Sequence, residues 1–215
     1  MIEVKELNLV LNKRQILLDV NINLQDGNIY GLVGNNGSGK TMLMKCICGL
    51  VKATSGSIIA DGKKIGKDCD YLENAGIIIE NPGFLPYYSG IKNLMLLAGI
   101  KHRILRRQVE EAMRICGLDP ELRLSVGKYS LGMRQRLGIA QAIMENQHIL
   151  ILDEPMNGLD KEGVAEIRNL LLSLREKGNL ILLASHNRED IEILCDEVYE
   201  VEAGRVIKLD KPEKT

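Results

Sequence analysis

The chain has 215 residues, with 28 Lys and Arg against 29 Asp and Glu, 45% apolar and 27% charged residues, which are the proportions of one globular domain with a sizeable core of its own. A net charge of -1 excludes a protein that grips phosphate backbones by bulk charge, and 3% aromatic residues, with no Trp and one Phe, leave few platforms for stacking bases, so no nucleic-acid partner is expected. No apolar run approaches the ~18 residues that cross a bilayer, Leu94 to Ile100 being the longest candidate, and Met1 to Glu6 lacks the pattern of a secretory signal; a cytoplasmic chain is expected.

Ile2 to Leu24 alternates polar and apolar residues, most clearly in Val20-Asn21-Ile22-Asn23-Leu24, the period of half-buried antiparallel strands. A turn at Asp26-Gly27 leads to a short apolar strand, Ile29 to Val33, then a Gly-rich turn and a helical pattern from Thr41 to Leu50. Gly56 to Gly62 reads as an edge-like strand, and Ala75 to Ile79 as a strand buried on both faces. From Asn81 to about Gly127 the pattern is helical, broken by Pro82, Pro86 and Pro120, and it holds a basic stretch from Lys101 to Arg107 that reads as a solvated helix face. Ile149 to Leu152 and Leu180 to Ala184 are buried strands joined by a helix over Lys161 to Arg175, a βαβ unit. Val198 to Val201 and Val206 to Leu209 form a hairpin hinged at Ala203-Gly204, and Lys211 to Thr215 reads as a loose tail.

The five cysteines, Cys46, Cys48, Cys69, Cys116 and Cys195, are odd in number and mostly inside apolar segments, as reduced core thiols are. Cys46 and Cys48 have no second pair to complete a zinc site and point apart on a helix. His102 and His148 read as ordinary histidines.

Gly34-Asn35-Asn36-Gly37-Ser38-Gly39-Lys40-Thr41 satisfies the P-loop pattern and stands between a strand and a helix, the context that such a loop requires. Its glycines let backbone N–H groups turn inward around the β- and γ-phosphates at a helix N-terminus. Lys40 is expected on the terminal phosphates and Thr41 on Mg²⁺. The strand Ile149 to Leu152 runs into Asp153-Glu154, one carboxylate to hold the metal and one to activate or orient water.

With these motifs in place the whole chain resembles the ATP-binding-cassette (ABC) ATPases. Tyr129-Ser130-Leu131-Gly132-Met133-Arg134-Gln135-Arg136 resembles the family's signature, and Asn157-Gly158-Leu159-Asp160 its D-loop. His186, just after Leu183-Ala184-Ser185, matches its switch histidine, and the spacing of Ser130, Asp153 and His186 agrees with the family. The resemblance implies an α/β P-loop NTPase fold of ABC-ATPase type: a mixed sheet, an antiparallel β-subdomain and an inserted helical subdomain. It further implies one ABC ATPase domain over 1–215, with 1–83 and 146–215 as RecA-like core plus β-subdomain and 84–145 as the helical subdomain. ATP and Mg²⁺ are the implied ligands. Two copies sandwich nucleotide head to tail, the phosphates of one copy meeting Ser130 and Gly132 of the other, and a separate integral membrane permease holds the pair at the inner face of the membrane.

Three departures from the family stand out. The glutamine that senses Mg²⁺ falls here on Glu80, expected as a catalytic and metal contact in the closed state only. Glu80, the Asn-Pro-Gly-Phe segment after it and the Tyr-Ser-Leu-Gly-Met signature resemble the bacitracin and lantibiotic exporter branch, which implies export of an antimicrobial peptide or similar compound. Leu131 replaces a signature glycine, at an expected cost in backbone freedom. Leu11 stands where the family stacks an aromatic ring on adenine, so weak discrimination against GTP is expected. Phe84, Tyr87 and Tyr88 mark Glu80 to Tyr88 as the expected permease contact. Two alternatives fit less well. A soluble ABC ATPase of translation or DNA repair needs a second cassette or a long insert, and a P-loop small-molecule kinase leaves Ser130 to Gln135 and His186 without a task.

Overall fold

The computed structural model describes residues 1–80 and 82–209; Asn81 and the tail expected at Lys211 to Thr215 lie outside the described residues. β1 (Ile2–Leu11) and β2 (Arg14–Leu24) form the expected antiparallel pair, extended by β4 (Ser55–Ala60) and the two-residue β5 (Lys63–Lys64) into a sheet of order β2-β1-β4-β5. β4, expected near an edge, is therefore interior, and β5 shields it. The second sheet has the order β10-β9-β3-β8-β7-β6, from β3 (Ile29–Val33), β6 (Ala75–Ile78), β7 (Ile149–Asp153), β8 (Leu180–Ala184), β9 (Glu197–Glu202) and β10 (Arg205–Leu209). Its pairs are parallel except β9 with β10, so the molecule has the mixed sheet and the separate antiparallel sheet that the family resemblance implies.

The uninterrupted apolar runs follow from cores on both faces of this sheet. Leu150, Leu152, Ile181 and Leu183 enter one core with the helical lobe, while Ile149, Ile151, Leu180 and Leu182 enter the other, shared with the antiparallel sheet and α1 (Lys40–Ile47). β6 differs from expectation. It is the edge strand, with Ile78 buried and Ile77 half-buried, and α4 (Leu131–Ile143) packs against the face that carries Gly76 and Ile78. A side chain at Gly76 would collide with the Ala142 carbonyl, so this close approach of α4 requires glycine. The two sheets are tied where Leu18 N–H donates to the Gly204 carbonyl at 2.8 Å.

The helical lobe contains α2 (Gly90–Lys101), α3 (Arg106–Ile115), a 3-10 turn over Val126–Lys128 and α4. The basic stretch is not one helix face: Lys101 ends α2, His102 caps it in the left-handed region, and Arg106 and Arg107 open α3. α5 (Lys161–Glu176) crosses from β7 to β8, and α6 (Arg188–Leu194) follows β8. Sequence pattern missed α6, because seven residues give fewer than two turns of periodicity; its signal was Asn187, which accepts from Glu189 N–H as N-cap. Cys46 and Cys48 both end in the core shared by the sheets rather than in separate surroundings, and burial pushes their thiols up to about 11 and about 12.

Candidate nucleotide site

β3 delivers the chain to the P-loop at the C-terminal end of a strand flanked by β8 and β9. Gly39, at φ 115°, is the N-cap of α1 and turns the backbone into the helix through a conformation that other residues adopt only at a cost. Lys40 Nζ donates to the carbonyls of Gly34 at 2.6 Å and Asn35 at 3.1 Å. A nearly buried ammonium is thus held in the mouth of its own loop by neutral oxygens, partners that an anionic phosphate would outcompete. Inside the loop the Ser38 hydroxyl is buried with no hydrogen-bond partner among the described residues.

β7 brings its carboxylates to the same place. Asp153 Oδ2 accepts from Thr41 Oγ1 at 2.8 Å, joining the end of β7 to the first turn of α1 through two hard oxygen donors. That donor set suits Mg²⁺, which prefers oxygen ligands near phosphate. Glu154 follows in the left-handed region (φ 51°), and its N–H donates to Ala184 O at 2.9 Å. Its Oε2 lies 2.8 Å from His186 Nδ1, which leaves the far ring nitrogen of His186 for another partner. Asn36, Gly37, Thr41, Glu80, Asp153 and Glu154 share one cavity of about 500 Å³, a size suited to a nucleotide.

Glu80 lines this cavity, but its carboxylate is engaged with Lys45 of α1 at 2.6 Å. Like Glu154 it sits at a strand end with positive φ (61°). Ser130 and Gly132 are elsewhere: they line a second cavity with Gly158 and Asp160. Ser130 Oγ caps α4, accepting from Met133 N–H at 3.1 Å. Leu131 has ordinary helical backbone in the first turn of α4, so no glycine-like freedom is lost there, and its side chain packs on Gly158. Leu11 is exposed at the β1–β2 turn, paired with Arg14, and Ile16 of β2 is the residue that lines the nucleotide cavity.

Several contributors were not anticipated. Gln135, nearly buried, donates from Nε2 to Glu154 O at 3.2 Å and links α4 to the base of the site. Asp190, 2% exposed, accepts from Arg168 at 2.9 and 2.6 Å and from Ser185 Oγ at 3.2 Å. Ser185 Oγ in turn accepts from Asn187 N–H at 3.1 Å, so this buried chain holds both neighbours of His186. A Ser-His-Asn followed at helical distance by Asp was the available signal, but Arg168 lies on a different helix.

A sheet of this kind, with its phosphate loop at the end of an inner parallel strand, belongs to a P-loop nucleotide hydrolase. The family model for the ABC transporter matches residues 17–157. An uncharacterized ABC transporter ATP-binding protein of Bacillus subtilis, YybJ, is 41% identical, covering 98% of this chain and 97% of its own. The lantibiotic transport ATP-binding protein SrtF of Streptococcus pyogenes is 36% identical, covering 96% of this chain and 89% of its own. A solved ATP-binding subunit of an ABC transporter superposes with a TM-score of 0.87 at 27% identity, over 97% of this chain and 89% of that one. The chain belongs to the ABC transporter family and is one of its ATPase cassettes. Among the described residues no helix is long and apolar enough to cross a membrane.

Proposed function

We propose that this chain binds Mg-ATP between two copies of itself, arranged head to tail, and that closing and reopening of the pair drives a separate membrane permease. The observation that carries the reading is the division of the site. Lys40, Thr41, Asp153, Glu154 and Glu80 face one cavity while Ser130 and Gly132 face another, so one chain offers half of each phosphate cage. In the closed pair, Lys40 leaves the Gly34 and Asn35 carbonyls for the terminal phosphates, and the P-loop N–H groups from Gly34 to Thr41, with Asn35, Asn36, Gly37, Ser38 and Gly39 between, wrap the anion. Thr41 and Asp153 hold Mg²⁺, which when bound draws charge from the phosphates. Glu154 takes a proton from, or orients, the attacking water, and His186, steadied through Nδ1 by that carboxylate, offers its other nitrogen to the γ-phosphate. Glu80 joins the metal only after leaving Lys45.

The protein then works in the cytoplasm at the inner membrane face, as a single cassette with 84–145 as its helical subdomain. The permease meets the Glu80 to Tyr88 edge, where Tyr87 is 88% exposed. The names of similar proteins support a peptide cargo, since SrtF is a lantibiotic transport protein and BcrA of Bacillus licheniformis, 41% identical over 88% of this chain and 62% of its own, a bacitracin transport protein; export of an antimicrobial peptide is the proposed task. A tagged Glu154→Gln chain, incubated with Mg-ATP and source membranes, is expected to dimerise and to recover a polytopic membrane protein. Strict monomers together with recovery of only ribosomes, DNA or soluble proteins would overturn the reading.

A further inference from the structure

The segment between Glu80 and Glu110 contains no Asp or Glu, in a chain where 29 of 215 residues are acidic. It carries Lys92, Lys101, Arg103, Arg106 and Arg107 together with all of α2, which includes the chain's longest apolar stretch, Leu94 to Ile100. The way α2 is mounted decides which part of that stretch reaches solvent. Gly90, Leu94 and Ala98 are buried at four-residue intervals, so Lys92, Leu96 and Ile100, two residues out of phase, form the opposite stripe. Leu96 is 48% exposed, Ile100 74%, and Leu105 at the start of α3 72%. From Gly99 to Arg107 every residue is exposed except Ile104.

Single exposed apolar side chains are ordinary, but Leu96 and Ile100 are neighbours one turn apart on α2, and clustered ones mark an interaction surface. The cations beside them are only partly neutralised. Arg106 pairs with Glu110 at 2.6 Å and approaches Glu121 at 3.9 Å, and Lys101 approaches Glu145 at 4.0 Å. Among the described residues Arg103 donates to the Asn74 amide oxygen at 3.3 Å and, with Lys101, interacts at longer range with Glu73, Lys92 sits over the Tyr88 ring at 3.7 Å, and Arg107 has no ion pair. A corner with projecting Leu and Ile, ringed by Lys and Arg and free of carboxylates in its own segment, has the chemistry of a surface that enters an anionic lipid interface. An acidic protein partner would satisfy the cations but leave no reason for three apolar side chains to stand among them.

We propose that the α2–α3 corner, Leu96, Ile100 and Leu105 with Lys101, Arg103 and Arg107, binds the anionic phospholipid surface of the membrane. The contact is made by the cassette itself and needs neither nucleotide nor permease. It orients the helical lobe toward the bilayer.

The test is co-sedimentation of the purified chain with vesicles of phosphatidylcholine alone or with about 30% phosphatidylglycerol, in about 0.1 M salt. Binding to the anionic vesicles is expected, with at least a roughly tenfold loss in about 0.5 M salt or on neutral vesicles. Arg103→Glu with Arg107→Glu, and separately Ile100→Asp with Leu105→Asp, should each weaken binding roughly tenfold or more. Ile207→Asp, an exposed apolar position on β10, should not. ATPase rates and circular dichroism of the same preparations, expected to be unchanged, separate loss of this surface from loss of the site or fold. Equal binding to both vesicle types, no binding to either, or full binding by the corner variants would overturn the proposal. So would absent vesicle binding combined with loss of permease binding in neutral nanodiscs for Ile100→Asp with Leu105→Asp, which would give the face to a protein.

Discussion

Asp190 should be worth more to this protein than its distance from the phosphates suggests. Its carboxylate is 2% exposed and accepts three hydrogen bonds, two of them from the Arg168 guanidinium. Truncation to Ala leaves that guanidinium, whose side chain is mostly covered, with only the exposed Glu189 at 3.0 Å. Breaking a buried pair in this way costs about 3–5 kcal/mol, and the surviving Glu189 contact places the expectation near the lower end, about 3 kcal/mol. For a chain of this size that corresponds to a fall in Tm of roughly 6–12 °C. Arg168→Met combined with Asp190→Leu removes both charges and should recover much of the loss. Activity should separate the variants. Ser185 loses its anchor in both, so kcat should stay low in the double variant while stability returns, because the segment holding His186 against Glu154 is no longer fixed. Thermal unfolding and steady-state ATPase assays on the three proteins suffice. A loss below about 1 kcal/mol for Asp190→Ala, or full activity in the double variant, would refute the argument.

The ion pair between Lys45 and Glu80 predicts that Lys45→Ala lowers the Mg²⁺ concentration needed for half-maximal ATPase, while Glu80→Gln raises it; unchanged Mg²⁺ curves for both, measured with a phosphate-release assay, would remove Glu80 from the site. Among the described residues no aromatic ring lines the nucleotide cavity, to which β2 contributes Ile16, so GTP should bind within about tenfold of ATP, or about 1.4 kcal/mol, in a competition assay. Cys46, Cys48 and Cys116 are pushed up to about 11, about 12 and about 12 by burial, and Cys195 is also buried, so a thiol reagent at pH 8 should modify one cysteine quickly, Cys69, and all five only in denaturant. Because those three thiols ionise near 9.0 when unfolded and higher when folded, the native state keeps protons that the unfolded chain loses. Their contribution to stability should be intact below pH 9 and fall as pH rises through the interval above it, which alkaline unfolding curves of Cys46→Ala and Cys48→Ala would test.

Much of the site was legible because its chemistry is local. The P-loop needs glycines, Lys40 and Thr41 at fixed offsets between a strand and a helix, and Asp153-Glu154 must follow a strand buried on both faces, which can only be written as an apolar run such as Ile149 to Leu152. The signature and His186 became readable through family likeness, since a helix N-cap serine and a strand-end histidine have no chemistry of their own at that spacing. What the residues between Leu85 and Arg107 do was not legible: a basic run and an apolar run look alike whether buried, solvated or bound, and only the mounting of α2 on Gly90, Leu94 and Ala98 turned Leu96 and Ile100 outward.

Sequence by itself carried the phosphate-loop motif, the buried strand before Asp153-Glu154 and the helical segment between them, because backbone periodicity and phosphate binding act over a few residues, while the two-sheet plan was implied by family likeness. Tertiary structure alone decided that β4 lies inside its sheet and β6 at the edge of the other, that Ile16 rather than Leu11 faces the nucleotide cavity, and that Lys45 holds Glu80. It also decided that Arg168 and Asp190 meet across two helices behind His186. Such pairings depend on where strands and helices are laid side by side, and side chains far apart in the chain carry no mark of which distant partner the packing will bring to them.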